Sequence, residues 1–212
     1  MVEHIHSETF NLDFQLKNIF AAAKIEAGEI YPEIMKVELK PIIEDVIDSF
    51  EIETKKRNLK IEFLFEIKSR SKEPYYCKTD PEKLKLMLSN LLYNAINFSH
   101  EGGKIEVSAW KKNSELFLKV KDYGEGISKE NQKIIFDRFK KLDSGINSIT
   151  RGHGLGLSIN KAFLSMLNGE INITSQIGKG ACFTIKLPEP EFETERLPGE
   201  NEFLFDGTET IF

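Results

Sequence analysis

Two asparagines four residues apart, Asn90 and Asn94, lie within the run Asn90-Leu91-Leu92-Tyr93-Asn94-Ala95. In a helix that spacing puts both carboxamides on one face. Two neutral oxygens there suit a hydrated Mg2+ that bridges phosphates, because this ion takes few protein ligands and keeps its waters. Two asparagines on a helix are also what an ordinary solvated face presents. Downstream comes Asp122-Tyr123-Gly124-Glu125-Gly126. A carboxylate at a strand end can accept a hydrogen bond from an exocyclic amine such as that of adenine, and glycines two and four residues on let backbone approach a flat ring. Asp and Gly are equally the usual residues of a plain turn. Phe136-Asp137-Arg138-Phe139 precedes Lys140 and Lys141. Aromatics three apart can anchor the base of a loop and leave the cations free, or simply end an amphipathic helix. Last, Gly152-His153-Gly154-Leu155-Gly156-Leu157 closes a polar stretch and opens a helix. Backbone N–H groups and the positive helix end favour an anion there. This is not the dinucleotide fingerprint, since a loop precedes it in place of a strand. A Walker A run is absent too: neither Gly103-Lys104 nor Gly178-Lys179 continues into Ser or Thr.

Several elements must position these residues. Asp80-Pro81, an N-cap followed by Pro at the first helical position, opens a helix reaching about Phe98 that carries both asparagines. Lys104 to Trp110 and Leu116 to Lys121 read as a hairpin around Lys112-Asn113-Ser114, which delivers Asp122 at a strand end. Ser128 starts a short helix, and a Gly/Ser/Asn-rich loop follows from about Lys140 to Gly154. A helix from Leu155 to Leu167 stops at Asn168-Gly169, and strands Glu170 to Ser175 and Ala181 to Leu187 flank Gly178-Lys179-Gly180. Upstream, a strand near Met35 to Leu39 precedes a helix from Pro41 to about Lys56, and Leu59 to Ile67 alternates as a half-buried strand. Antiparallel strands beside several helices predict an α+β fold: a two-layer α/β sandwich, about five strands in a mixed sheet on about three helices. A separate N-terminal helix over about 8–28 precedes it, with an apolar stripe at Leu12, Leu16, Ile19 and Ala23 and a stop at Gly28. That stripe is too short to be stable alone and must pack on something, either the main core or a second helical hairpin.

Composition narrows the function classes. The 212 residues are 40% hydrophobic and 30% charged, ordinary values for a globular chain and unlike a collagen-like, wholly coiled-coil or disordered one. No apolar run approaches the ~20 residues of a membrane span. The opening Met-Val-Glu-His-Ile-His lacks a secretory leader's pattern. Cys77 and Cys182 form no Cys-x-x-Cys pair, so a disulfide framework or cysteine-rich zinc site is not expected and a cytoplasmic setting fits best. Residues 189–212 hold eight acids against Arg196, a net of -7 in a chain of net -5, so residues 1–188 carry +2. No basic stripe suggests nucleic acid. The acidic tail shows no helix or strand period, and its composition favours a mobile or loosely docked segment.

Taken in order, the four motifs with Gly178-Lys179-Gly180 resemble the ATP-binding domain of sensor histidine kinases, whose blocks are named N, G1, F, G2 and G3. The match runs from Asn90 to about Thr184. The wider superfamily of gyrase-type, mismatch-repair and chaperone ATPases carries a glutamate where Asn90 stands, as base for the hydrolytic water. Its absence implies phosphoryl transfer to a protein over ATP hydrolysis. The resemblance implies that Asp122 reads the adenine amine, that Gly124 and Gly126 shape the pocket wall, and that Asn94 binds Mg2+ with Asn90 sharing the metal or positioning the reacting groups. Phe136 and Phe139 would anchor a mobile ATP lid from about Lys140 to Gly154. Gly152, Gly154 and Gly156 would hinge it, Lys141 and Arg151 would counter triphosphate charge, and Leu155 and Thr184 would complete the ATP-binding set. Leu12 to Gly28, closing Ala-Lys-Ile-Glu-Ala-Gly, resembles the second helix of the dimerisation and phosphoacceptor hairpin, so 1–30 would be part of that hairpin, 33–188 the catalytic domain and 189–212 the acidic tail.

The implied partners are the acceptor-histidine hairpin of a homodimeric, membrane-anchored or free parent kinase and the receiver domain of a response regulator. None of His4, His6, His100 and His153 fits the acceptor position. One position departs from the family: three residues after Asn94 a basic residue is usual, and here Asn97 stands. A degenerate, nucleotide-responsive binding module and an anti-sigma-type serine kinase are the competing readings, the second not needing the helix at Leu12 to Gly28.

Overall fold

The computed structural model describes residues 2–67, 74–137 and 154–189, with side chains from residue 8 on. In chain order the elements are α1 (Val2–Ala27), β1 (Met35–Glu38), α2 (Leu39–Ser49), α3 (Glu51–Lys56), β2 (Lys60–Phe65), β3 (Tyr76–Thr79), α4 (Pro81–Phe98), β4 (Lys104–Lys112), β5 (Glu115–Asp122), α5 (Lys129–Gln132), α6 (Gly156–Met166), β6 (Glu170–Ser175) and β7 (Ala181–Pro188). Five strands form one sheet in the order β2-β4-β5-β7-β6, with β2 parallel to β4 and the other pairs antiparallel. The predicted mixed five-stranded sheet is therefore present. β5 buries Leu116, Leu118, Val120 and Asp122, and β7 buries Ala181, Phe183, Ile185 and Leu187, all on the helix side. α4 and α6 cover that face, and α2 packs beside α4. None of the described helices is long and apolar enough to cross a membrane.

Local chemistry accounts for the boundaries that matter. Asp80 Oδ1 accepts from Lys83 N at 3.0 Å, satisfying one of the free amides at the start of α4, and Pro81 follows it. Behind that cap, Leu84, Met87, Leu88, Leu91, Leu92, Ala95 and Ile96 form a continuous buried stripe. Ser128 caps α5 through Asn131 N at 3.2 Å. Asn113 and Asn168 take left-handed backbone at the hairpin turn and after α6, a conformation asparagine tolerates better than most residues.

Three features differ from the sequence-based expectation. The short strand β3 was not foreseen; it pairs with β1 as a separate two-stranded ladder. The expected helix from Pro41 to Lys56 is two helices: α2 opens at Leu39, whose N–H donates to Tyr75 O, and the chain turns at the fully buried Phe50. α1 uses another face from the expected one. Phe14, Asn18 and Ala21 are buried, with Phe10 and Ile25 packed on the core, while Leu12, Leu16 and Ile19 stay exposed. The reason is aromatic: Phe10 and Phe14 meet Phe50 edge-on at 5.0 and 6.2 Å, and Phe14 lies 4.8 Å from the Tyr93 ring. Glu189, the first residue of the acidic tail, is fastened to the body. Its carboxylate accepts from Tyr75 Oη and pairs with Lys111, and its N–H donates to Ser114 O.

Candidate functional site

Asp122 ends β5 at the helix-covered face and is 4% exposed. Its Oδ1 accepts from Gly124 N at 3.0 Å and from Ala181 N at 3.1 Å, which holds the carboxylate between the loop after β5 and the start of β7. Among the described residues both side-chain hydrogen bonds fall on Oδ1. Burial pushes the carboxyl above its ordinary 3.8, against the opposing pull of the Gly124 and Ala181 amides, its own backbone amide and His100.

The glycines beside it serve backbone packing. A Cβ on Gly124 would stand 1.8 Å from Phe98 O, at the end of α4. One on Gly126 would stand 2.0 Å from Gln176 O, and one on Gly180 2.1 Å from Asp122 O. The loop after β5 is thus pressed against both α4 and the β6–β7 turn, with Glu125 N donating to Phe98 O and Gly178 N to Glu125 O. Ser175 Oγ donates to Gly180 O and accepts from Ile127 N, stitching the same two loops. At both glycines the side on which a Cβ would stand is filled by a carbonyl of the protein. These glycines allow the close packing that seats Asp122.

On α4, Asn90 is 2% exposed. Its Nδ2 donates to Gly156 O at 3.2 Å and to Asn160 Oδ1 at 2.9 Å, and Asn160 Nδ2 in turn donates to Met87 O. The Asn90 amide nitrogen thereby ties α4 to the first turn of α6. Gly156 must be small for this: an added Cβ would lie 3.0 Å from both Cγ and Oδ1 of Asn90. Asn94, one turn on, is half-buried, and among the described residues its carboxamide has no hydrogen-bond partner. It fits an ion that takes one or two neutral oxygens, and among the described residues no group of three His, Cys, Asp or Glu could hold a metal by itself. Asn97 donates to Tyr93 O, so its amide faces its own helix.

Leu155 is buried ahead of α6, Gly154 takes left-handed backbone, and the first turn of α6 has no side-chain cap. Phe136 packs on the core beside buried Ile135. Thr184 lies elsewhere: it pairs with Lys119 and Asn172 on the sheet face away from the helices, three residues and about 10 Å along the strand from Ala181. Phe139, Lys141, Arg151 and Gly152 fall outside the described residues. Asn160, which completes the Asn90 link, was missed by sequence reasoning; its position four residues after Gly156 on α6 was the available signal.

Asn90 thus links α4 to the start of α6, Asn94 lies one helical turn further along α4, and Asp122 sits where the loop after β5 meets the end of α4. The family model for histidine kinase-, DNA gyrase B- and HSP90-like ATPases matches residues 79–191, which contain all of these groups. The circadian input-output histidine kinase CikA of Synechococcus elongatus is 27% identical over 188 residues, 89% of this chain and 24% of that protein. Sensor protein SrrB of Staphylococcus aureus is 38% identical over 121 residues, 55% of this chain and 21% of that protein. The chain therefore spans under a quarter of the length of either relative. The solved catalytic domain of the histidine kinase ThkA superposes with a TM-score of 0.64 at 26% identity, covering 74% of this chain and 96% of that one. The chain belongs to the histidine kinase-, DNA gyrase B- and HSP90-like ATPase family.

Proposed function

We propose that this chain holds Mg-ATP between α4, the loop after β5 and the start of α6, and presents its γ-phosphoryl group to a histidine on a helical hairpin, from which it passes to a response-regulator receiver domain. The observation that carries this reading is Asp122: a buried carboxylate whose two protein donors share one oxygen, leaving Oδ2 as acceptor for the adenine amine. Asn94, with Asn90 as its neighbour one turn back, would hold magnesium, which when bound would supply charge neutralisation at the phosphates. Asn90 Nδ2 meanwhile keeps α6 docked, so the uncapped amides of its first turn are presented to phosphate. The protein's contribution is positioning and charge neutralisation around an in-line transfer. Gly152, Lys141, Arg151 and Phe139 would belong to a lid over the phosphates, with Phe136 at its base.

The exposed Leu12, Leu16 and Ile19 on α1, with exposed Phe20 beside them, support reading residues 1–30 as part of a dimeric helical hairpin in a homodimeric parent. The setting we propose is cytoplasmic, with the parent free or anchored to a membrane. Incubating the chain with γ-labelled ATP and a separate acceptor hairpin tests the reaction. Label on histidine supports it; nucleotide binding without transfer supports a nucleotide-responsive module.

A further inference from the structure

A buried ion pair stands where the segment leaving α1 meets the first turn of α4. Lys83 Nζ lies 2.5 Å from Asp80 Oδ2 and donates to Tyr31 O at 2.7 Å. Asp80 Oδ2 also accepts from Glu33 N at 2.8 Å. Both side chains are almost fully buried, and the ammonium lies 5.8 Å from the centre of the Phe163 ring on α6. Capping α4 requires one acceptor, and Asp80 Oδ1 supplies it to Lys83 N. The second oxygen and the ammonium are surplus to that task. Their partners outside α4 and α6 are backbone atoms of residues 31 and 33, in the link between α1 and β1. Tyr31 itself is exposed, so its side chain does not hold the link in place.

The α1 contact cannot fix its own placement as sharply. It consists mainly of rings and methyl groups around Phe14, whose apolar contact is non-directional, with one side-chain hydrogen bond between Gln15 and Tyr93 beside them. It also buries Asn18, whose Oδ1 has no hydrogen-bond partner among the described residues. Charge-assisted hydrogen bonds to backbone, in contrast, specify direction and register. We propose that Asp80 and Lys83 form a latch that fastens residues 31–33 to α4 and so sets where α1 sits against the nucleotide-binding helix. They are positioning residues; their effect on transfer rests on the function proposed above, whereas the latch does not.

Two spin labels read the placement: Lys17→Cys on α1 and Lys112→Cys on the β4–β5 hairpin, in a Cys182→Ser background. A narrow distance distribution is expected for the parent and for Lys83→Arg, which can still donate to both oxygens. For Lys83→Met the distribution should be at least about twofold broader, because several α1 placements become populated. The KM for ATP should stay within about twofold while kcat for an added acceptor hairpin falls about fivefold, the split expected of a residue that does not touch nucleotide. If Lys83→Met does not fold, Asp80→Asn replaces it: the variant retains the cap acceptor but turns an amide toward Glu33 N–H, and should broaden the distribution likewise. An unchanged width in the folded variant overturns the latch. So does broadening that Lys83→Arg fails to reverse, or ATP affinity falling in step with the width, which would assign the pair to the fold of α4. Failure of the parent to take up ATP would refute the proposed function, and the width comparison would still decide the latch.

Discussion

The Asn90 amide donates to the carbonyl of Gly156, a residue 66 positions later, and a single Cβ at Gly156 would press within 3.0 Å of the same side chain. Asn90 cannot retreat without giving up Asn160 as well. Gly156→Ala gains helix propensity of about 1 kcal/mol and loses a comparable amount to crowding, so its net effect on denaturant stability is expected to be small. The displaced carboxamide and helix start should instead lower Mg-ATP affinity about tenfold, equivalent to 1.4 kcal/mol. Paired denaturation and calorimetric titration check this; equal affinity in both proteins would disconnect the link from nucleotide binding.

The glycines at the seat of Asp122 should separate sharply from a glycine in open space. Gly124→Ala drives a methyl group into the Phe98 carbonyl, a backbone atom that cannot rotate away, and is expected to cost about 3 kcal/mol or prevent folding. Gly102 has left-handed backbone but nothing within 4 Å of its missing Cβ. Gly102→Ala should cost only about 1 kcal/mol, the price of the conformation alone. Similar losses for both would show that the β5 loop is not packed against α4 as described.

Asp122 makes a prediction about protons. Its folded carboxyl is raised above 3.8, so between that value and the folded one the native state binds more protons than the unfolded state. This group's contribution to stability therefore rises as pH falls through the window. A ligand that needs the charged carboxylate must lower its apparent titration point. Carbon-13 NMR of the Asp122 carboxyl should find it titrating above 3.8 in the free protein and lower with adenine nucleotide bound. A titration point that nucleotide leaves in place would remove Asp122 from the site.

Much of this arrangement was legible because its causes are local. Asp80-Pro81 marks the start of α4 by capping chemistry that needs nothing beyond the first turn, and the β4–β5 hairpin pattern places Asp122 at a strand end. β3 was not legible: four residues, two of them exposed, become a strand only through pairing with β1, some forty residues earlier. α1 carries two apolar stripes, and periodicity cannot say which one faces the core. The Phe10 and Phe14 stripe wins because the Phe50 and Tyr93 rings stand opposite it. For Gly124 and Gly126, sequence indicates that a Cβ is excluded; only the fold shows that Phe98 and Gln176 carbonyls exclude it.

The two stripes of α1 can be told apart by truncation. Phe14→Ala removes a buried ring and is expected to cost about 3 kcal/mol by chemical denaturation. Leu16→Ala removes an exposed side chain and should change stability by less than about 0.5 kcal/mol. The reverse order would mean that the leucine stripe, and not the phenylalanine one, lies against the body.

Adenine recognition by one shielded carboxylate is best tested by isothermal titration of Mg-ATP into the parent and Asp122→Asn proteins. Asparagine preserves the shape and an oxygen for Gly124 and Ala181 but removes the charge; a hydrogen bond to a charged group is worth about 1.5–3 kcal/mol, so affinity should drop roughly 10- to 150-fold. Uptake of the nucleotide by neither protein, or equal uptake by both, would contradict the account.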